Sequence, residues 1–263
     1  MYHSSMRLRS VRAAAGVLAC AASVACAGAL GRQYEYEEEL YLSVDGSAQA
    51  VVNASIPALI ALRGLPLDPS PAVPPNRDQI RQLLASAGCD VTSVGQPWTR
   101  RGRRFVQIRV AHDDVSRLSE CRLLSWSRYR LERTSGDQLR YTQAVGAPTA
   151  GNPGAVNWDG TEVVGFRLHL PSRILFQNVK RLETGENGTT ERGNILSYEQ
   201  RLSDRRNGVS MDIRVDMGAE SILFQTLTLF AVAGVAAVLV LAGLVWLTVR
   251  RARRRGLPLG SKA

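Results

Sequence analysis

The feature that most constrains this chain lies near its C-terminus. From Ser221 to Val249 no side chain is charged, and Arg250, Arg251, Arg253, Arg254 and Arg255 follow at once. Within that stretch Leu229 to Leu247 reads LFAVAGVAAVLVLAGLVWL. About twenty such residues, at 1.5 Å rise each, cross a hydrocarbon core roughly 30 Å thick. Lipid offers no partner for backbone amides, so the segment must be a helix that pairs them internally. The expectation is a transmembrane helix over 221–249, with Trp246 at an interface. The arginines then place a basic tail, 250–263, in the cytoplasm.

The N-terminus carries a second, shorter apolar run. Arg7, Arg9 and Arg12 precede Ala13 to Leu30, which ends in small residues. This order reads as a signal peptide, or an uncleaved N-terminal anchor, over 1–30. Cys26 follows Ser23-Val24-Ala25 and is a candidate lipidation site. Either processing leaves 31–219 as an extracytoplasmic domain at a bacterial cell membrane. Of the 33 Lys and Arg, three precede this domain and six follow it, leaving 24 against 23 Asp and Glu. The net charge of +10 is therefore mostly a topology signal and no sign of nucleic-acid binding.

The domain reads mainly as strands. Tyr34–Val44 alternates, with Tyr36, Leu40, Leu42 and Val44 on one face, and Asp45-Gly46 turns it back into Ala48–Asn53. Ser55 and Asn76 cap two helices, ended by Gly64 and Gly88. Further strands are expected at Cys89–Val94, Arg103–Val110, Leu124–Arg133, Gln138–Val145, Glu162–Leu170, Arg173–Asn178, Asn194–Gln200 and Val209–Met217. The last has the cleanest alternation and runs almost directly into the membrane helix. The expected class is α+β: a largely antiparallel curved sheet, a half-barrel, over one or two short helices, followed by one transmembrane α-helix.

The Val44-Asp45-Gly46-Ser47 turn, the helix ending at Ala87-Gly88, the following strand, the aromatic strand Arg103–Val110 and the single C-terminal helix together resemble the LppM-type domains of bacterial envelope proteins and lipoproteins. The resemblance covers about residues 30–145 and the overall layout. It implies a lipid-associated envelope domain and carries no defined catalytic residues over to this chain.

Catalytic chemistry has little support. The exported part holds two histidines, His112 and His169, with no zinc-binding spacing, no nucleophile elbow and no phosphate loop. No enzyme activity, metal or cofactor is expected. Glu35, Glu37, Glu38 and Glu39 read as a solvated strand face. Cys89 and Cys121 either form a disulfide in an oxidising compartment or remain two buried thiols. The most basic stretch is Arg100, Arg101, Arg103 and Arg104, flanked by Trp98 and Phe105. It reads either as a solvated hairpin tip or as a contact for anionic headgroups, each basic residue contributing about 1 kcal/mol at an anionic surface.

Two functions follow as expectations. The first is a non-catalytic domain that binds or senses a lipid or other amphiphile at the membrane surface. The second is a protein-interaction subunit of an envelope complex. Ala233 and Ala237, with Gly234 alongside, have the small-residue spacing of a weak homodimer through the membrane helix.

Overall fold

The computed structural model describes residues 32–134, 136–188, 190 and 194–254. The expectations for 1–30, Cys26 among them, and for Arg255 and the remaining tail lie outside these residues. Strand β1 (Gln33–Leu42) folds back onto β2 (Ala48–Ser55) through the Asp45-Gly46 turn. Asp45 holds that turn by accepting from the Ser47 amide at 3.0 Å and the Ser47 hydroxyl at 2.8 Å. Gly46 supplies the φ of +94° that an L side chain resists.

Helix α1 (Ile56–Arg63) starts where Ser55 Oγ accepts from the Ala58 amide at 3.1 Å, with Pro57 in the first turn. All eight of its residues are buried. Helix α2 (Arg77–Ala85) is capped by Asn76, which accepts from Asp78 and Gln79, and buries Ile80 and Leu84 alone. Strands β3 (Val91–Val94), β4 (Trp98–Arg100) and β5 (Arg103–His112) follow, then a 3₁₀ turn at Val115–Glu120. Next come β6 (Ser127–Arg133), β7 (Gln138–Val145), β8 (Glu162–His169), β9 (Ile174–Gln177), β10 (Ile195–Arg201), helix α3 (Leu202–Arg206) and β11 (Met211–Gly218).

Among the described residues the strands form two sheets. The first has the order β10-β8-β1-β2-β5-β3, with β4 paired to β5; the second has the order β6-β7-β11-β9. Pairing is antiparallel except between β1 and β8, which run parallel with a bulge between Tyr34 and Tyr36. The class is the expected α+β, with an unclosed, mostly antiparallel first sheet, short helices and a long C-terminal helix. The second sheet is the addition. One buried cluster draws on both sheets, including Tyr36, Leu168, Tyr141 and Val215. Trp126 sits within it, its ring 5.0 Å from that of Tyr36 and 5.8 Å from that of Phe166.

The acidic run on β1 is corrected by the structure. Glu37 and Glu39 stay half-buried on the outer face, paired with Arg167 at 3.2 Å and His169 at 3.3 Å. Glu35 and Glu38 are buried. Glu38 shares the even spacing of Tyr36 and Leu40 and so points inward with them. Glu35 is turned inward at the bulge, which breaks the alternation.

Helix α4 (Ile222–Arg254) leaves the domain three residues after β11 ends. By length and composition Thr226–Arg253 is long and apolar enough to cross a membrane. Three backbone bonds fasten its base. Gly218 donates to Arg173 at 3.0 Å, Ala219 to Asp137 at 3.0 Å and Ile222 to Pro171 at 3.1 Å. Pro171 lies two residues beyond the end of β8, so the helix enters at the end of the sheets that carries His169, Leu42 and Ala48.

Candidate functional site

The arginine-rich hairpin lies at the opposite end. Arg103 pairs with Arg100, Phe105 with Ser55, and Gln33 with Glu162, all at the far ends of their strands. The ten residues of β1, at about 3.3 Å each, separate this tip from the base of α4 by roughly 30 Å.

Most of the tip's guanidinium groups are already engaged. Arg100 donates to the Arg32 carbonyl at 3.2 Å, and Arg101 to Gln33 Oε1. Arg104 donates to the Pro71 carbonyl and to Thr99 Oγ1, both at 2.9 Å. Arg103 is nearly buried: it donates to the Asn157 carbonyl at 2.8 Å, and its Nε lies 3.0 Å from Glu35 Oε1, too poorly aimed for a hydrogen bond. Trp98 is partly exposed and stacks on Phe105 with ring centres 5.6 Å apart.

Glu35 also accepts from Ser55 Oγ at 2.6 Å and Trp158 Nε1 at 3.2 Å. Burial raises its pKa, against the opposing pull of Ser55 and Arg103. Glu162, equally buried, takes the amides of Asp159 and Gly160 at 2.9 Å. Beside this network the Pro-rich loop 66–75 and the loop 146–160 enclose a cleft of about 560 Å³ with Arg101 and Arg103 on its floor. Four of the five residues singled out from the sequence therefore act first as structural links, Arg100 and Arg101 to the start of β1 and Arg103 and Arg104 to neighbouring loops. That role was not visible without knowing which carbonyls come near.

A second polar centre sits between the sheets. Glu38 accepts from Tyr129 Oη at 2.8 Å, Gln143 Nε2 at 3.0 Å and Tyr36 Oη at 3.3 Å. Burial raises its pKa, and the bonds from Tyr129 and Gln143 oppose the rise. Nearby, Arg63 and Arg205 both lie against Trp126, their guanidinium carbons 4.9 and 5.3 Å from its ring centre. Arg63 is held by the Leu123 carbonyl at 2.8 Å, the Arg122 carbonyl at 2.6 Å and Ser125 Oγ at 2.8 Å. Arg205 is held by the Gly146 carbonyl at 2.7 Å. Burial lowers the pKa of both arginines. Glu38, Arg63, Arg205 and Trp126 are all buried, and this centre reads as a structural core.

The third region surrounds the base of α4. Leu175 and Phe176 on β9 and Ile222 at the start of α4 are exposed apolar residues at this end. The Arg214 guanidinium carbon lies 5.1 Å from the Phe176 ring centre. A cleft of about 400 Å³ opens between β9, β7 and the first turn of the helix. The expected strand Arg173–Asn178 covers β9, but no signal in its residues marked it as a contact surface.

The structure joins Cys89 to Cys121 by a disulfide, with the Cα atoms 4.3 Å apart. It ties the end of α2 to the end of the 3₁₀ turn. Among the described residues no group of three or more His, Cys, Asp and Glu is placed to hold a metal ion.

No family model matches the chain, and no curated protein matches it. Among solved structures, the NMR structure of the folded domain of LppM from Mycobacterium tuberculosis is similar at a TM-score of 0.37 and 12% identity, with 71% of this chain and 91% of that chain covered. The chain therefore bears a weak resemblance to LppM.

Proposed function

We propose that this chain is a single-pass envelope protein whose exported, non-catalytic domain binds or senses a lipid or other amphiphile at the membrane surface. The arginines after Val249 favour a cytoplasmic C-terminus. One observation carries the reading: the three backbone bonds at Gly218, Ala219 and Ile222 hold the domain against the start of α4 with no slack. The charge-free stretch from Ser221 to Val249, at 1.5 Å per residue, covers about 43 Å, the thickness of a bilayer including its headgroups. Ile222 then sits at the outer edge of the headgroup layer, and Leu175 and Phe176 sit beside it. Exposed apolar residues there are satisfied by the interface rather than by water.

This relocates the lipid contact from Arg100–Arg104 to the β9 end. The test is photocrosslinking of the full chain in nanodiscs carrying a diazirine-bearing phospholipid. Adducts at residues 173–176 support the reading; adducts confined to α4 contradict it. The second reading, a protein-interaction subunit, is favoured by the far cleft. Its prolines and Arg101 face away from the anchoring bilayer, where a soluble partner would meet them.

A further inference from the structure

We infer that Arg205 holds a monatomic monovalent anion, chloride, inside the domain core. The inference is independent of the membrane-surface reading. Arg205 lies on α3, which packs against α1 and β8. Its side chain is fully buried and rests on Trp126, the guanidinium carbon 5.3 Å from the ring centre. One nitrogen, Nη2, donates to the Gly146 carbonyl at 2.7 Å. The other two, Nε and Nη1, are buried and have no hydrogen-bond partner among the described residues.

Arg63, on the same indole, is the contrast. Its Nε donates to the Leu123 carbonyl at 2.8 Å and its Nη1 to the Leu62 carbonyl at 3.3 Å. Its Nη2 donates to the Arg122 carbonyl at 2.6 Å and to Ser125 Oγ at 2.8 Å. Every nitrogen of Arg63 is engaged, and two of the three of Arg205 are not. A buried donor left unpaired is costly, so folded proteins satisfy such groups with protein, water or an ion. Trp126 Nε1 also lacks a hydrogen-bond partner, but its pull on Glu38 assigns it to that carboxylate.

Charge decides between water and an ion. Guanidinium groups stay protonated in proteins. Among the described residues the buried charged side chains are Arg63, Arg205, Glu35, Glu38 and Glu162. Glu35 and Glu162 face Arg103 at the far end of the sheets. Two buried cations therefore share one carboxylate, Glu38, which accepts from Tyr129, Gln143 and Tyr36. Arg122, exposed, adds a further positive charge beside Arg63. Asp204 and Arg206, the exposed neighbours of Arg205 in the chain, offset each other. Burial alone lowers the pKa of Arg205, with no charged neighbour contributing. The centre is thus net positive even with Glu38 ionised. Water satisfies the two N–H groups and leaves the charge; an anion satisfies both. Phosphate or sulfate brings more charge and more acceptor oxygens than two donors can meet, and its removal from water costs more. A monovalent halide fits the donors and the charge.

The full chain in an uncharged detergent is melted in sodium chloride, sodium bromide and sodium gluconate at equal ionic strength. Either halide should raise the melting temperature by about 5 °C over gluconate, the shift for an ion at about thirty times its Kd. Arg205→Met keeps an unbranched stem without the charge and should lose this halide dependence. Crystals of the unaltered chain grown in bromide give a readout that needs no variant to fold. An anomalous peak within hydrogen-bond reach of Arg205 Nε or Nη1 supports the site. An ordered water there without anomalous signal, equal melting in all three salts, or a halide shift unchanged in Arg205→Met overturns it.

Discussion

Glu38 is the residue at which the two sheets meet. Its pKa is raised by burial, so its ionised form is less favourable in the fold than in the unfolded chain. The group therefore opposes folding at neutral pH, and the opposition is relieved as pH falls through its folded pKa toward the ordinary carboxyl range. A Glu38→Gln variant should accordingly gain melting temperature relative to the unaltered protein as pH rises from about 5 to about 8. A gap that stays constant over that range would contradict the buried, strained carboxylate. Arg63 makes the opposite case. Its fork reaches three carbonyls and a hydroxyl while lying on Trp126. Arg63→Ala strands those acceptors and should cost about 3 kcal/mol, or about 9 °C in melting temperature. Arg63→Lys should recover little, because an ammonium cannot span the same partners. Glu38 shares the parity of Tyr36 and Leu40, yet its charge places it with the solvated run when the sequence is read alone, and the structure reverses that. The stacking of Arg63 and Arg205 on Trp126 was not legible in the sequence, because it joins three residues far apart in the chain.

At the scale of elements, local signals carried furthest where the chemistry is local. The Asp45-Gly46 turn and the Ser55 and Asn76 caps each depend on neighbours a few residues away, and each stands where the turn and capping patterns put it. The parallel pairing of β1 with β8 depends on residues over a hundred positions apart, and no periodicity encodes it. The loop 146–160 shows the same limit. Its backbone completes the end of α1, with Thr149 donating to Leu62 at 2.9 Å and Gly151 to Ala61 at 3.4 Å. A Cβ on Gly151 would lie 2.2 Å from the Ile60 carbonyl oxygen. Gly151→Ala should therefore push the loop off α1 and lower stability by about 2 kcal/mol, read by thermal melting. The disulfide closes a separation of 32 residues. Replacing Cys89 and Cys121 with Ala should cost about 3–4 kcal/mol in the chain-entropy account, or roughly 10 °C. An unchanged melting temperature in the variant would show that the bond does not form.

As a whole molecule the chain is organised end to end. One end of the sheets receives α4 and gathers Asp45, Asp113, Asp137 and Arg173. The other gathers Arg32, Arg100, Arg101, Arg103 and Arg104 with the Pro-rich cleft. The near-neutral composition of the exported part does not reveal this division. Crowding of arginine near Trp98 was easy to find in the sequence. Its distance from the membrane was not, since that depends on which strand end α4 leaves from. The central claim is that the domain stands on the bilayer by its β9–β11 end. The most direct test is the height of two labels above the membrane. With Cys20 and Cys26 changed to Ser, single cysteines are placed at Gly102 or at Leu175 in the full chain, labelled with a donor fluorophore, and reconstituted with acceptor-labelled headgroups. The account predicts strong transfer from position 175 and weak transfer from position 102, a difference in height of roughly 25 Å. Equal transfer from both positions, or stronger transfer from 102, would contradict it.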